Sequence, residues 1–240
     1  MDFEKAAVPG AQNDDGRMIL DPFEIRVLAV LAEKEKLTPD AYPMSLNALA
    51  NGCNQLSSRD PVMSISEQSV QDALDRLLQK KLVAEVSQAG ARVAKFEHRM
   101  RIRWTLEQDK LAVLALLMLR GSQTAGEIRT RAARMHEFAD VAAVETGLQF
   151  LIDKFPPLVI RLERAPGTKE ARYVHTLGGE ESARQQDIAS VFSAQVAAST
   201  PSKLAPSGDR IGQLENEVAD LRSLIESLQL EFAQFRKQFE

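Results

Sequence analysis

The side chains best suited to chemistry are three histidines, His98, His136 and His175, and one cysteine, Cys53. No two of them stand at the spacing of common zinc ligands, such as C-x₂-C or H-x₃-H. The sequence also lacks a G-x-S-x-G nucleophile motif and a phosphate-binding glycine loop. We therefore expect no catalytic residues, no metal site and no cofactor, and we expect that the protein is not an enzyme.

The cysteine content and the apolar runs bear on the cellular compartment. A lone cysteine cannot form an internal disulfide, so Cys53 is interpreted either as a small buried apolar residue or as a reactive thiol. The longest apolar run, 111–119, is far too short for a membrane span, and the N-terminus does not resemble a signal peptide. We expect a cytoplasmic protein that does not associate with membranes.

Basic residues are concentrated along the first predicted hairpin, in the segment after it, on the second predicted helix of the second half and around the turn of the second hairpin. If the segment is extended, the alternating positions 99, 101 and 103 share one side of it. These residues are predicted to contact the phosphates of double-stranded DNA. The alternative is that the arginines pair with neighbouring acids and form the interface between the two halves of the chain. The predicted nucleic-acid-binding residues are Arg92, Lys95, Arg99, Arg101, Arg103, Arg129, Arg131, Arg164 and Lys169.

The predicted third helix of each half is acidic on its exposed side. The first contains Glu67, Asp72 and Asp75, and the second contains Glu145 and Asp153. Acidic groups that face phosphates oppose the attraction that dominates binding to DNA. We therefore do not expect these helices to read the major groove, and any contact with DNA should come from the wings and the basic hairpin.

Residues 210–240 repeat apolar side chains at the a and d positions of four heptads. β-branched residues at a with leucine at d favour a parallel two-stranded coiled coil, and facing charges such as Glu217 and Arg222 are opposite in sign. The alternative is an amphipathic helix that packs against the body of its own chain. The predicted dimerisation residues of a homodimer are Ile211, Leu214, Val218, Leu221, Ile225, Leu228, Phe232 and Phe235.

The elements that position these residues occur twice along the chain. The segment V-Q-D-A-L-D-R-L-L-Q-K at 70–80 matches V-E-T-G-L-Q-F-L-I-D-K at 144–154 in its apolar positions. Each copy continues into an apolar strand start, and each second strand ends in an aromatic residue followed two residues later by a histidine, His98 or His175. A duplicated helix followed by a hairpin predicts two winged-helix domains.

Capping residues mark the helix starts. Asp21 followed by proline begins the first helix, Ser45 and Ser66 begin the second and third, and Thr124 with Glu127 forms a capping box in the second half. The predicted strands are 82–87, 92–98, 158–163 and 171–176, and the predicted helices of the second half are 106–119, 125–135 and 140–154.

Several segments carry a resemblance to a known family. The matching segments are Y-P-M-S-L-N-A-L at 42–49, R-D-P-V-M at 59–63, L-R-G-S-Q-T-A-G-E-I-R-T-R at 119–131 and E-A-R-Y-V-H at 170–175. They resemble the YceH-like family of bacterial proteins, a family without an established function. The resemblance covers about residues 18–178 and implies a tandem winged-helix fold. It offers no catalytic residues that could be assigned to positions of this sequence.

Together these features predict an α+β, mostly α, fold of two tandem winged-helix domains followed by a linker and a C-terminal coiled-coil helix. The net charge of −4 argues against a protein that simply coats nucleic acid. The main hypothesis is a DNA-binding or transcription-regulatory protein, and the alternative is a protein–protein adaptor or assembly module. The predicted divisions are a disordered acidic tail at 1–17, domains at 18–103 and 104–178, a linker at 179–209 and the coiled-coil helix at 210–240.

Overall fold

The computed structural model describes residues 18–86, 93–164 and 170–180. The fold is mixed α+β, with about half of these residues in helices and two small antiparallel sheets. The first half contains α1 (Pro22–Leu37), a 3₁₀ turn (Pro39–Ala41), β1 (Met44–Ser45), α2 (Leu46–Cys53), α3 (Glu67–Gln79), β2 (Val83–Val86) and β3 (Lys95–His98). The second half follows α4 (Met100–Trp104) and contains α5 (Gln108–Arg120), β4 (Gln123–Thr124), α6 (Ala125–Ala132), α7 (Val141–Ile152), β5 (Val159–Arg161) and β6 (Arg172–His175).

The two halves repeat one order of elements: a helix, a short strand, two helices and an antiparallel strand pair. Their sheets have the matching strand orders β1-β3-β2 and β4-β6-β5. His98 pairs with Val83, the first residue of β2, and His175 pairs with Val159, the first residue of β5. The two histidines therefore occupy equivalent positions, as the sequence repeat predicts.

Side-chain caps begin the helices at the predicted residues. Asp21 accepts hydrogen bonds from N–H groups in the first turn of α1, and the Glu24 carboxylate accepts the Asp21 N–H at 2.8 Å, which completes a capping box. The side chains of Ser45, Ser66 and Thr124 likewise accept N–H groups at the starts of α2, α3 and α6. These bonds satisfy donors that a helix start leaves without partners.

Some predicted limits differ from the structure. Helix α6 ends at Ala132 instead of residue 135. Beyond this end, the N–H groups of Met135 and His136 share the Ala132 carbonyl oxygen, at 2.7 and 2.9 Å. Strands β1 and β4 were not predicted, since two residues are too few to show an alternating pattern. Helix α5 ends as predicted at Gly121, whose φ of 70° favours glycine.

The two halves share one core. Residues 24–33 of α1 and 111–119 of α5 are buried on every side, as expected for helices at the centre of a fold. Helices α1 and α5 pack against each other, while α3 packs on α1 and α7 packs on α5. The buried apolar residues of both halves form one continuous cluster.

Gly52 allows α2 to approach α1 closely, and Gly52→Ala is expected to destabilise the fold by about 1–3 kcal/mol. A Cβ at this position would lie 2.7 Å from Cγ1 of Val30, a fully buried side chain with few alternative rotamers. Gly147→Ala is the matched control, because its Cβ would meet Val113 at an ordinary 3.8 Å and alanine favours a helix. Urea unfolding measures both variants. Equal stability of the two variants would contradict the close α1–α2 contact.

Candidate binding surfaces

Helix α3 presents an acidic face to solvent. Its apolar residues, including Val70, Leu74 and Leu77, are buried, which directs the opposite side outward. On that side Gln68 donates a hydrogen bond to Asp72 at 2.9 Å. One turn along, Gln71 donates to Asp75 at 2.7 Å, and Asn47 of α2 donates to Glu67 at 2.8 Å. The exposed carboxylates are thus ordered by neutral amides.

The two cations at the end of α3 point towards α1. Arg76 contacts Asp21 at 2.7 Å, and Lys80 contacts Glu24 at 2.6 Å. The Glu24 carboxylate is 1% exposed, so this ion pair lies inside the α1–α3 contact. These cations stabilise the packing of the two helices, and their charges are paired with carboxylates at the start of α1 instead of with the exposed carboxylates of α3.

The segment that follows β3 is helical, and the prediction that residues 99, 101 and 103 share one side of an extended strand is wrong. Met100 is fully buried, and the chain turns around it as the Arg103 N–H donates to the Arg99 carbonyl oxygen at 2.8 Å. In a helix successive residues are about 100° apart. Arg101 therefore faces away from the side that Arg99 and Arg103 share.

Four of the predicted DNA-contacting arginines have partners within the protein. Arg99 contacts Glu97 at 2.9 Å, Arg101 contacts Glu35 at 2.8 Å and Arg131 contacts Glu127 at 3.4 Å. Arg129 donates to the Ala139 carbonyl oxygen at 3.1 Å in the α6–α7 connection. For Arg101 the structure agrees with the alternative interpretation, because it also donates to Gln108 at the start of the second half.

The other predicted binding residues divide into two groups. Lys95, Arg103 and Arg164 are at least partly exposed and form no ion pair within the described ranges. Arg92 and Lys169 lie outside the described residues. So do all the predicted dimerisation residues, which are Ile211, Leu214, Val218, Leu221, Ile225, Leu228, Phe232 and Phe235.

Buried side chains hold the long loop between α2 and α3. Arg59, 6% exposed, contacts both carboxylate oxygens of Glu33 on α1, at 3.2 and 2.7 Å, and donates to the Gly52 carbonyl oxygen. The Asn54 side chain closes the loop by pairing with the backbone of Ile65 at 2.8 and 2.7 Å. The sequence predicts the loop but not these anchors, whose partners are distant along the chain.

The same loop contacts the second half of the chain. The Asp60 N–H donates to the Leu119 carbonyl oxygen at 2.9 Å, and Arg120 donates to the Ser58 hydroxyl at 2.7 Å. Two of the segments that carry the family resemblance, R-D-P-V-M and L-R-G-S-Q-T-A-G-E-I-R-T-R, therefore lie against each other.

A polar cluster joins α1, β3 and α5. The Glu35 carboxylate accepts from Arg101, which also contacts Gln108, and lies 3.4 Å from Nε2 of His98. The Tyr42 hydroxyl accepts the His98 backbone N–H at 2.8 Å. The contact with His98, followed by the Arg101 hydrogen bond, holds the pKa of Glu35 at about 2, whereas burial raises the pKa of Tyr42. Sequence reasoning missed Glu35, which only the fold brings to this junction.

Burial decides the chemistry of Cys53 and His175. It raises the pKa of the Cys53 thiol to about 12, so the thiolate needed for reactivity is scarce at neutral pH. It lowers the pKa of the His175 imidazole to about 4. In the described ranges no three His, Cys, Asp or Glu side chains come together to hold a metal ion. Across those ranges, too, every helix is too short or too polar to cross a bilayer.

Comparison with known proteins extends the resemblance beyond short segments. A family profile described as "Protein of unknown function, DUF480" matches residues 20–168. The chain belongs to this family. A UPF0502 protein from Janthinobacterium sp. (strain Marseille) is 61% identical over 227 residues, which are 95% of this chain and 94% of the relative. The UPF0502 protein azo0627 of Azoarcus sp. (strain BH72) is 52% identical over 226 residues, 94% of this chain and 96% of its own. DUF480 membership across such bacterial relatives confirms the YceH-like resemblance.

Proposed function

We propose that this DUF480 protein is a non-catalytic cytoplasmic binding protein built from two winged-helix domains, at 18–103 and 104–178. The element order of each half, with a hairpin after the third helix, supports the fold proposal. The shared strand orders β1-β3-β2 and β4-β6-β5 support it as well. The heptads at 210–240, outside the described residues, are proposed to hold two chains together in a homodimer.

We further propose that the protein acts as an adaptor whose α3 face binds a basic protein surface. The observation that carries this proposal is the separation of charge on α3: Glu67, Asp72 and Asp75 face solvent, while Arg76 and Lys80 are turned towards α1. Charge complementarity of this kind steers encounter and selects partners. The same charges repel the phosphates of DNA.

Reversing two charges on this face tests the adaptor proposal. The full chain is used to capture proteins from a bacterial lysate and is separately applied to immobilised duplex DNA at low salt. We expect a specific basic partner, no retention on DNA, and loss of the partner with Asp72→Lys/Asp75→Lys, since both carboxylates are exposed. Purified partner and full chain then give the dissociation constant, which the double variant should raise by at least about tenfold.

Glu137→Lys/Glu163→Lys provides the matched control, because it makes the same change in net charge at two exposed acids outside α3. This control should bind the partner like the unmodified protein. If both double variants lose the partner equally, net charge and not the α3 face determines binding. If the α3 variant binds the partner as well as the unmodified protein does, the α3 face is not the binding surface.

Binding to DNA is the second candidate, and the exposed cations without acidic partners favour it. Lys95, Arg103 and Arg164 are in this position within the described part of the chain. Such cations can grip phosphates without reading bases. Retention on duplex DNA that weakens steeply with salt, in the experiment above, would select this function over the adaptor.

A further inference from the structure

A small cavity, lined by apolar side chains together with Arg103 and Thr176, lies between α4 and the loop that follows α7. Its volume is about 200 Å³, and its walls include Trp104, Pro156, Leu158 and Leu177. Pockets for drug-sized ligands are larger, at about 300–1,000 Å³. An apolar cavity of roughly 150 Å³ accepts a benzene ring. The space therefore suits one aromatic side chain better than a cofactor or a metabolite.

An aromatic side chain stands at the rim of this cavity. Phe155 is 97% exposed, more than any other large apolar residue in the described ranges, and it also lines the cavity. Exposing a whole phenyl ring costs solvation free energy that burial in an interface would recover. A patch that contains both a projecting ring and a cavity of ring size is complementary to itself, which is the requirement for a two-fold contact between identical chains.

The patch also contains, within the described ranges, one unpaired cation and one unpaired carboxylate, so its charges can pair with those of a second copy. Arg103 is an exposed residue of the cavity wall and forms no ion pair in the described part of the chain. Asp153, two residues before Phe155, accepts a hydrogen bond from Gln149 at 2.7 Å and meets no cation among the described residues. The intervening Lys154 is directed elsewhere, with its ammonium 4.4 Å from the Phe150 ring centre.

We propose that this patch, made of Arg103, Trp104, Asp153, Phe155 and Leu177, is a self-association surface that binds a second copy of the same chain. Phe155 of each copy enters the cavity of the other, so that the two rings lie near the two-fold axis. The insertion brings Asp153 of one copy towards Arg103 of the other. This contact is separate from the proposed heptad pairing and from the proposed adaptor function of α3.

Sedimentation equilibrium of the full chain tests the proposal in a background that removes heptad pairing, Leu221→Asp/Leu228→Asp. We expect a reversible dimer in this background. Phe155→Ser should raise its dissociation constant by about 30-fold, as expected for a central aromatic residue. Arg103→Asp should also weaken the dimer, and the added Asp153→Arg should restore it to within about threefold.

Leu56→Ser is the matched control, since Leu56 is 85% exposed but does not line the cavity. It should leave the dissociation constant unchanged. Circular dichroism should show that the substitutions at Leu56, Arg103, Asp153 and Phe155 leave the protein folded, because these four side chains are exposed. A background variant that remains monomeric at every accessible concentration would overturn the proposal. So would a dimer that is indifferent to Phe155→Ser, or a charge swap that fails to restore association.

Discussion

Arg59→Ala is expected to lower the free energy of unfolding by about 3–5 kcal/mol. The Arg59 guanidinium is fully buried and lies 2.7 Å from the Glu33 carboxylate, whose side chain is 8% exposed. In the variant, the one remaining cation among the described residues in contact with the Glu33 carboxylate is Lys34, at 3.4 Å. The variant also removes the hydrogen-bond donor to the Gly52 carbonyl oxygen. Urea unfolding at neutral pH measures the loss.

Arg134→Ala serves as a control for loss of an arginine, because Arg134 is exposed and forms no ion pair in the described ranges. It should change the stability by less than about 0.5 kcal/mol. Replacing both buried partners, as in Arg59→Met/Glu33→Leu, should recover much of the loss, since neither member of the pair is then left inside as an unpaired charge. A penalty for Arg59→Ala as small as that of Arg134→Ala would contradict the buried ion pair.

Mild acid is expected to destabilise the protein through His175. Burial lowers the pKa of this imidazole from 6.5 to about 4 in the folded protein. Between these values the unfolded chain binds a proton that the folded protein excludes, so stability falls as the pH falls. The contribution of His175 between pH 7 and pH 5 amounts to about 2 kcal/mol, and the full shift corresponds to about 3 kcal/mol.

His175→Leu is expected to remove this dependence, because leucine binds no proton in either state. Urea unfolding at a series of pH values compares it with the unmodified protein and with His136→Gln, a control at a histidine that is partly exposed. Glu35 contributes little to the slope between pH 7 and pH 5, because its ordinary pKa of 4.5 and its folded pKa of about 2 both lie below that range. Parallel stability curves for His175→Leu and the unmodified protein would disprove the assignment.

Local features of the fold were predictable because they depend on neighbours along the chain. The Asp21, Ser45, Ser66 and Thr124 caps each bind N–H groups within three residues, so residue type and spacing suffice to place them. The acidic face of α3 was predictable for the same reason, since helical periodicity alone assigns residues to the buried and exposed sides.

The candidate surfaces were only partly predictable, because a cluster of arginines in sequence does not reveal where their partners lie. Arg101 was predicted to contact DNA, yet its carboxylate partner, Glu35, is 66 residues away on α1. The same limit applies to Arg59 and Glu33, which are 26 residues apart. The cavity beside Phe155 is formed by segments from both halves, and no periodic pattern in the sequence predicts it.

By itself, then, the sequence determined the duplicated order of helices and hairpins, the starts of most helices and the sign of charge on α3. Each of these depends on residue types and on spacings of a few positions along the chain. Only the tertiary structure decided which cations are neutralised, which histidines are buried and where a ring-sized cavity lies. Those properties arise when α1 and α5 pack into a shared core, since that packing brings distant charges together and determines which side chains lose their water.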